Sequence, residues 1–150
     1  MKETVWKIKK FEDLTTEELY QILKARVDVF VVEQNCPYPE LDDYDQKAVH
    51  LWAEKNGEVI SYCRIFDIDI KYEEASIGRV LTKINYRHLK LGSVLMRLAL
   101  ATIEGRFGTR KVRISAQDYL LNFYQIFGFR DTGKKYLEDD IPHTEMFKNE

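Results

Sequence analysis

A short basic segment ahead of a predicted helix is the part of the chain whose residue types and spacing could hold an anionic ligand. Residues 87–93 read Arg-His-Leu-Lys-Leu-Gly-Ser, and an amphipathic helical pattern continues from Ser93. A helix that begins directly after a tight turn leaves its first backbone N–H groups unpaired and aligned, so its N-terminal end is partially positive. Phosphate groups bind at such ends. The segment therefore predicts a diphosphate site, although an ordinary basic strand-to-helix connection has the same composition.

The apolar periodicity identifies the elements that would position this segment. Residues 75–81 predict the strand that leads into it, and residues 93–103 predict the helix behind it, closed near Gly105. The next strand is predicted at residues 111–116. A short aromatic helix at 119–127 ends at Gly128, and a last hairpin starts at 129–134 and returns through 143–148.

The N-terminal half predicts a strand, a helix and a hairpin. The strand spans residues 5–8, and Thr15 and Glu18 stand in the spacing of a capping box at the start of the helix. An apolar stripe runs to about Val32, flanked by Arg26 and Glu33. After a loop with two prolines and four carboxylates at residues 34–45, strands at 50–55 and 59–66 enclose the turn Asn56-Gly57.

Composition limits the classes of function. A chain of 150 residues with 45% hydrophobic content suits one domain over residues 1–150, and 23 basic against 25 acidic residues give no basic excess for a nucleic-acid partner. No secretory segment and no apolar run of about 20 residues is present, which predicts a cytoplasmic protein that does not enter a membrane. Cys36 and Cys63 lack CxxC spacing, and no HxH or HExxH pattern occurs, so reduced thiols and no metal site are expected.

Several short motifs add to this order of elements. They are Val-Phe-Val-Val-Glu-Gln at 29–34, Cys-Pro-Tyr at 36–38, Ile-Gly-Arg-Val at 77–80, Ala-Gln at 116–117, Tyr-Gln-Ile-Phe-Gly-Phe at 124–129 and Ile-Pro-His at 141–143. With them the chain resembles the GNAT superfamily of acyl-CoA-dependent N-acyltransferases, in its ElaA-like branch, over nearly its whole length. The resemblance implies an α/β fold with a mixed, mostly antiparallel twisted sheet flanked by helices. It also implies a splayed parallel strand pair at the acyl-CoA cleft.

The resemblance implies a donor site for acetyl-CoA, the acyl-donor co-substrate. In the family's Arg/Gln-x-x-Gly-x-Gly/Ala pattern the backbone N–H groups bind the pyrophosphate. The residues of this chain that correspond to that segment are Arg87, His88, Leu89, Lys90, Leu91, Gly92 and Ser93. The backbone of Val80, Leu81 and Thr82 would pair with the pantetheine amides, and Asn122 would bind the same arm.

His88 and Lys90 depart from the pattern, because glycines are common at both positions. If the backbone at Lys90 suits a non-glycine residue, the N–H groups still face the phosphates and the ammonium adds a cation. If the turn requires φ > 0, lysine strains it by about 1–2 kcal/mol and the affinity falls accordingly. The intact flanking motifs favour the first alternative.

The chemistry that the resemblance implies is attack of a neutral amine on a thioester carbonyl, through a tetrahedral intermediate that expels a thiolate. Tyr124 matches the superfamily's usual acid, and the alternative is one more core aromatic beside Phe123 and Phe127. The oxyanion donor is expected to be a backbone amide, with Val80 at the usual position.

The proton acceptor has six candidates in the sequence: Glu33, Asp42, Asp45, His50, Glu138 and His143. Glu33 leads, because it closes an apolar stripe where partial burial would raise its pKa. A helix cap or a salt bridge with Arg26 explains Glu33 equally well.

The acceptor side is predicted from charge. Acidic clusters at 40–45 and 138–140 would favour a cationic amine, polyamine-like, aminoglycoside-like or a peptide, unless they are only solvated loops. The candidate acceptor-binding residues are Asp42, Asp45, His50, Arg79 and His143. Arg79 alternatively braces the acidic loop, and the histidines are alternatively structural. The resemblance also permits a homodimer, and a catalytically silent acyl-CoA-binding module is the alternative function.

Overall fold

The structure, a computed structural model, describes residues 3–150. Seven strands are formed: β1 Val5–Lys10, β2 Val49–Lys55, β3 Glu58–Phe66, β4 Ser76–Thr82, β5 Val112–Gln117, β6 Arg130–Glu138 and β7 Ile141–Lys148. The α-helices are α1 Thr16–Arg26, α2 Leu91–Phe107 and α3 Leu121–Gln125. A π-helical segment, Val27–Glu33, continues α1, and short 3₁₀ turns lie at Phe11–Asp13, Asp45–Lys47, Ile84–Leu89 and Asp118–Leu120.

The strands form two antiparallel sheets that meet at one point. The first has the order β1-β2-β3-β4 and the second β5-β7-β6. β4 and β5 run parallel and are joined by a bridge at which Ala75, directly before β4, pairs with Val112, with the N–H of Arg113 donating to the Ala75 carbonyl at 3.0 Å. Beyond that bridge the two strands diverge, and the cleft between them is the predicted splayed pair.

A β-bulge in β4 helps to open this cleft. Leu81 pairs with Tyr62 and Gly78 with Arg64, so two residues of β4 stand opposite one of β3. Arg79, inside the bulge, has φ of 51°, in the left-handed region that a non-glycine residue adopts at a cost. The extra residue bends β4 and turns the Arg79 side chain toward the acidic loop.

The N-terminal helix begins at the predicted cap and changes its winding near its end. The Thr15 hydroxyl accepts from the Glu18 N–H, and the Glu18 carboxylate accepts from the Thr15 N–H. Burial would raise the pKa of Glu18, but the Thr15 N–H and the ammonium groups of Lys9 and Lys7 lower it to about 2. The predicted stripe ran to about Val32, and the helical segment ends one residue later at Glu33, but its last seven residues are π-helical.

The π-helical segment changes which residues are buried. An i→i+5 turn widens the helix, so the buried face advances relative to a 3.6-residue period. Val27, predicted to face the core, is 36% exposed, while Val29 is buried. Arg26, predicted to flank the stripe, is fully buried.

Both faces of the first sheet are covered by helices. One face packs against α2 through Leu51, Cys63, Ile65, Ile77, Leu95, Met96, Ala99 and Ile103. The other packs against α1 through Ile22, Ala25, Val29, Trp52, Tyr62 and Leu81. Neighbours such as Leu51 and Trp52 therefore point to opposite faces, as strand geometry requires. No helix within residues 3–150 is long and apolar enough to cross a bilayer.

Three predicted boundaries were wrong. α2 begins at Leu91, two residues early, and continues through Gly105 to Phe107, because Gly108 is the left-handed C-terminal residue, with its N–H on the Glu104 carbonyl. The aromatic helix at 119–127 is a 3₁₀ turn followed by α3. The last hairpin is longer than predicted, since β6 continues to a two-residue turn at Asp139 and Asp140, both with positive φ.

Candidate functional site

The donor groove is a cavity of about 440 Å³ on the open side of the splayed strands. Its β4 side is formed by Val80, Leu81 and Thr82, and its floor by Leu91, Gly92 and Ser93. These last three residues are the first turn of α2, and no side chain caps them. Helix geometry leaves their N–H groups without intrahelical partners, so the predicted anion-binding amides are present and uncapped.

Lys90 occupies the position immediately before these amides with φ 56° and ψ 37°, a left-handed conformation. The favoured alternative, a backbone suited to a non-glycine residue, was therefore wrong. The Lys90 N–H donates to the Arg87 carbonyl at 3.3 Å, which removes one amide from the site and leaves the three of α2. Lys90 and Arg87 both line the groove, while His88 and Leu89 are exposed and outside its lining.

We expect Lys90→Gly to raise the free energy of unfolding by up to about 1 kcal/mol, because glycine adopts φ > 0 without the side-chain penalty. The greater freedom of glycine in the unfolded chain offsets part of this gain. The same change should weaken coenzyme A binding about 2- to 5-fold, since an exposed ion pair contributes about 0.2–1 kcal/mol. Lys90→Asn is the matched control, because asparagine tolerates the left-handed backbone. In this variant the affinity for coenzyme A should fall, whereas the free energy of unfolding should not. Urea unfolding and calorimetry measure both, and tighter binding by either variant would contradict the role of the ammonium.

Arg87, which lines the groove, bonds both to Glu33 and to Thr82 at the end of β4. Its guanidinium forms two 2.8 Å contacts with the Glu33 carboxylate and donates from Nε to the Thr82 carbonyl at 2.9 Å. A salt bridge of Glu33 with Arg26 was one of the alternatives to its role as base, and the structure pairs Glu33 with Arg87 instead. Glu33 is an exposed residue and lines neither the groove nor the adjacent cavity. Asn122, also exposed, is likewise outside both linings.

A second, smaller cavity of about 90 Å³ continues from the groove. The two share Phe30, Gln34, Val80, Gln117 and Leu120 in their walls. Tyr124 lines the smaller cavity, and its ring packs edge-on against Phe123 and Phe129. Burial raises the pKa of Tyr124, with smaller contributions from Cys63 and Tyr119, so the phenol keeps its proton at alkaline pH. Tyr124 is thus a core aromatic that also lines a cavity, and its role as the acid stays a prediction.

Residues distant in sequence close this cavity. The Cys36 thiol lies 3.3 Å from the Asp139 carbonyl, and the Tyr38 hydroxyl donates to the Asp140 carboxylate. Gln34 and Gln117 exchange side-chain hydrogen bonds of 3.3 and 3.5 Å across the cleft, at the junction of the groove and the cavity. We define residues 36–40 as the roof segment.

A buried ion cluster holds the roof segment in place. Arg26 donates to the Glu40 carboxylate at 2.8 Å and to Asp45 at 2.6 Å. Arg64 donates to Asp42 at 2.8 Å and to Asp45 at 2.9 Å. Arg79 donates to the Glu40 carboxylate at 2.6 Å, which makes it a brace of the acidic loop as well as a wall of the small cavity. Three guanidinium groups thus balance three carboxylates.

The first acidic cluster is therefore engaged within the protein. Burial would raise the pKa of Asp42, but the Arg64 guanidinium holds it well below its usual range. Asp42 and Asp45 line neither cavity. His50 is fully buried, with Nε2 2.9 Å from the Asp45 carbonyl and Nδ1 2.6 Å from the Tyr62 hydroxyl. Burial lowers the pKa of His50, and the neighbouring arginines add to this effect while Asp45 opposes it. His50 is therefore a neutral residue whose two ring nitrogens are both hydrogen-bonded inside the protein.

His143 and Glu138 are the predicted candidates that the structure brings to Tyr124, since all three line the small cavity. The Tyr136 ring is stacked on the imidazole, 18° from parallel. No cluster of three or more potential metal ligands from His, Cys, Asp and Glu occurs in the described part of the chain.

Sequence reasoning anticipated Arg79 as a brace of the acidic loop but missed Arg26 and Arg64 as members of the ion cluster. One signal was available: Arg26 follows Ile22 by four residues, so it falls on the apolar face of α1. A charged side chain on the apolar face of a helix indicates a buried partner of opposite charge. Gln34 and Gln117 belonged to the quoted motifs, but their pairing across the cleft had no local signal.

Comparison with known proteins identifies the family. The model described as an acetyltransferase (GNAT) domain matches residues 12–150. The chain belongs to the GNAT acetyltransferase family. It is 39% identical to the protein ElaA of Escherichia coli over 143 residues, 94% of each chain. The predicted family and its ElaA-like branch are confirmed.

Solved structures confirm the fold class and the enzyme class. An acyl-CoA N-acyltransferase from Pseudomonas aeruginosa superimposes with a TM-score of 0.92 at 39% identity, covering 97% of this chain and 99% of that one. Escherichia coli ElaA superimposes with a TM-score of 0.89 at 38% identity, covering 99% and 100%. This GNAT chain is thus an acyl-CoA-dependent N-acyltransferase with mixed α/β architecture.

Proposed function

We propose that the protein transfers an acetyl group from acetyl-CoA to the primary amine of a small molecule or peptide. The observation that carries the proposal is the continuity of the two cavities. The uncapped amides of Leu91, Gly92 and Ser93 lie in a groove whose walls continue into the cavity that contains Tyr124. A diphosphate bound at the helix end would place the rest of a long donor along β4, toward Tyr124.

The donor would be held mainly by backbone groups. The uncapped amides of α2 take the pyrophosphate, with the charges of Arg87 and Lys90 beside them. The edge of β4 from Val80 to Thr82 pairs with the pantetheine amides as an added strand does. The carbonyl of Thr82 already accepts from Arg87, which leaves the rest of that edge for the ligand.

The proposed reaction follows from the groups where the groove meets the small cavity, near Val80 and Tyr124. A neutral amine attacks the thioester carbonyl, a tetrahedral intermediate forms, and the C–S bond breaks as the amide forms. The Val80 N–H stabilises the oxyanion, and Tyr124 gives its proton to the leaving thiolate.

The acceptor would be a cationic amine, polyamine-like, aminoglycoside-like or peptidic. Glu138 and Asp139 line the small cavity, whereas three of the four carboxylates of the first acidic cluster are paired with arginines. A volume of about 90 Å³ corresponds to roughly three water molecules. It admits the reacting end of an acceptor, and the remainder stays outside.

Thiol release from acetyl-CoA with a panel of amines tests this function. Spermidine, kanamycin and a peptide with a free N-terminus represent the three acceptor classes, and mass spectrometry detects the acetylated product. We expect turnover with at least one class. Calorimetric binding of coenzyme A without any turnover would instead support the acyl-CoA-binding module, and absence of binding at millimolar concentrations would overturn both.

A further inference from the structure

The attacking amine must first lose a proton, and the contacts within the protein reduce the six predicted acceptors to two. Glu33 is held in a two-contact pair with Arg87 outside the cavity. Asp42 and Asp45 are bound by arginines, and His50 is enclosed. Glu138 and His143 remain, and both line the cavity of Tyr124.

The geometry of His143 suits a proton acceptor. Its Nδ1 lies 2.7 Å from the Ile141 carbonyl, which can only accept, so Nδ1 carries the hydrogen. In the neutral ring this leaves a lone pair on Nε2. The Glu138 carboxylate lies 3.5 Å from Nε2, and the Tyr136 ring covers one face of the imidazole. The ring is therefore fixed in orientation and tautomer, with an anion beside the atom that would become charged.

We propose that His143 is the general base of the acyl transfer and that Glu138 is its positioning residue. This inference rests on the proposed function. The His143 Nε2 takes one proton from the acceptor's ammonium group, and Glu138 stabilises the resulting imidazolium. The neutral amine attacks the thioester carbon, the N–C bond forms and the C–S bond breaks. Tyr124 gives its proton to the leaving thiolate, and a second proton from the attacking nitrogen then restores the phenol. His143 returns its proton to solvent.

The charged and titratable groups near this pair lie on neighbouring elements as well as in the cavity wall: Tyr136 stacks on the imidazole, and Lys71 and Tyr72 interact with Glu138 from outside the cavity. Cys36 and the braced pair Glu40 and Arg79 lie on the opposite side, and Tyr38 and Asp139 lie near the turn. Burial and then Asp139 and Asp140 raise the pKa of Cys36, and the hydrogen bond to Asp140 raises that of Tyr38. Neither group therefore adds a negative charge to the cavity at neutral pH.

His143→Asn is the main test, because the asparagine amide can still donate to the Ile141 carbonyl while lacking a base. We expect kcat/KM at neutral pH to fall about 10²- to 10⁴-fold and the acid limb between about pH 5 and 8 to disappear. Calorimetric affinity for coenzyme A should stay within about twofold, which shows an intact fold. Lys148→Gln, at the other end of β7, is the control and should keep the wild-type rate.

Glu138→Gln gives a second test that does not depend on how the histidine variant folds, since Glu138 is half exposed. Loss of the carboxylate removes the stabilisation of the imidazolium, so the acid limb should move to lower pH with a rate loss of about 3- to 10-fold. A wild type that acetylates amines, with an acid limb unmoved in Glu138→Gln or retained in His143→Asn, overturns this inference and leaves the proposed function standing. A wild type that binds coenzyme A and acetylates nothing overturns both.

Discussion

Replacing Arg26 with methionine is expected to lower the free energy of unfolding by about 3–5 kcal/mol, the usual cost of removing one partner from a buried ion pair. Methionine fills a similar volume, so the loss is electrostatic. Glu40 and Asp45 would each lose a guanidinium donor while they remain almost fully buried. Arg79 and Arg64 still contact them, which places the expected value near the lower end of the range.

The effect of Arg26→Met should extend to activity, because the roof segment depends on Glu40. Both Arg26 and Arg79 also approach the Glu40 backbone carbonyl, at 3.2 and 3.3 Å. If the roof segment is less firmly held, the small cavity widens. The KM of the acceptor should therefore increase by a larger factor than the Kd of coenzyme A.

Urea unfolding measures the stability loss, and a double-mutant cycle with Asp45→Asn isolates the ion pair. The combined variant should be less destabilised than the sum of the two single changes, since each removes the same interaction. Arg97→Met, on the exposed side of α2, is the matched control and should stay within about 0.5 kcal/mol of wild type. A loss below about 1 kcal/mol for Arg26→Met would show that the cluster is not a structural clamp.

The donor half of the site was predictable because it is local in sequence. The strand before Arg87, the helix after Lys90 and the amides of that helix's first turn follow from a single stretch of alternation and helical period. The capping box at Thr15 is likewise formed by residues that are close in sequence. In the capping box the side chains act on backbone three residues away, and at the start of α2 the free amides follow from the helix end itself.

The acceptor half depends on contacts that no local pattern contains. The roof segment is fixed to the Asp139–Asp140 turn about 100 residues later, and Gln34 meets Gln117 across the cleft. Two departures from regular geometry direct these contacts: the π-helical segment that places Gln34, and the bulge that turns Arg79. Neither has a sequence signature as strong as a cap or a hairpin turn. The proposal of His143 in place of Glu33 as the base therefore rests on contacts that the sequence does not display.

Replacing Tyr124 with phenylalanine is expected to reduce kcat about 10²-fold with little change in the affinity for acetyl-CoA. Phenylalanine keeps the ring contacts with Phe123 and Phe129, 5.2 and 6.0 Å between centroids, so the fold should be unaffected. Only the proton donor is lost, and general acid catalysis commonly contributes 10²- to 10⁴-fold. Steady-state kinetics and calorimetry separate the two quantities. Tyr20→Phe, on an exposed position of α1, is the matched control.

The pH dependence adds an independent check on Tyr124. Because burial raises the pKa of this phenol, it remains protonated and able to donate well above its ordinary titration range. The wild-type kcat should therefore show no alkaline decline up to about pH 10, the value at which an exposed tyrosine ionises. A decline between pH 8 and 10 that disappears in Tyr124→Phe would mean that the phenol is hydrated in the working enzyme. An unchanged kcat in that variant would mean that the thiolate leaves unassisted, which a thiol pKa near 8.5 permits, and would remove Tyr124 from the reaction.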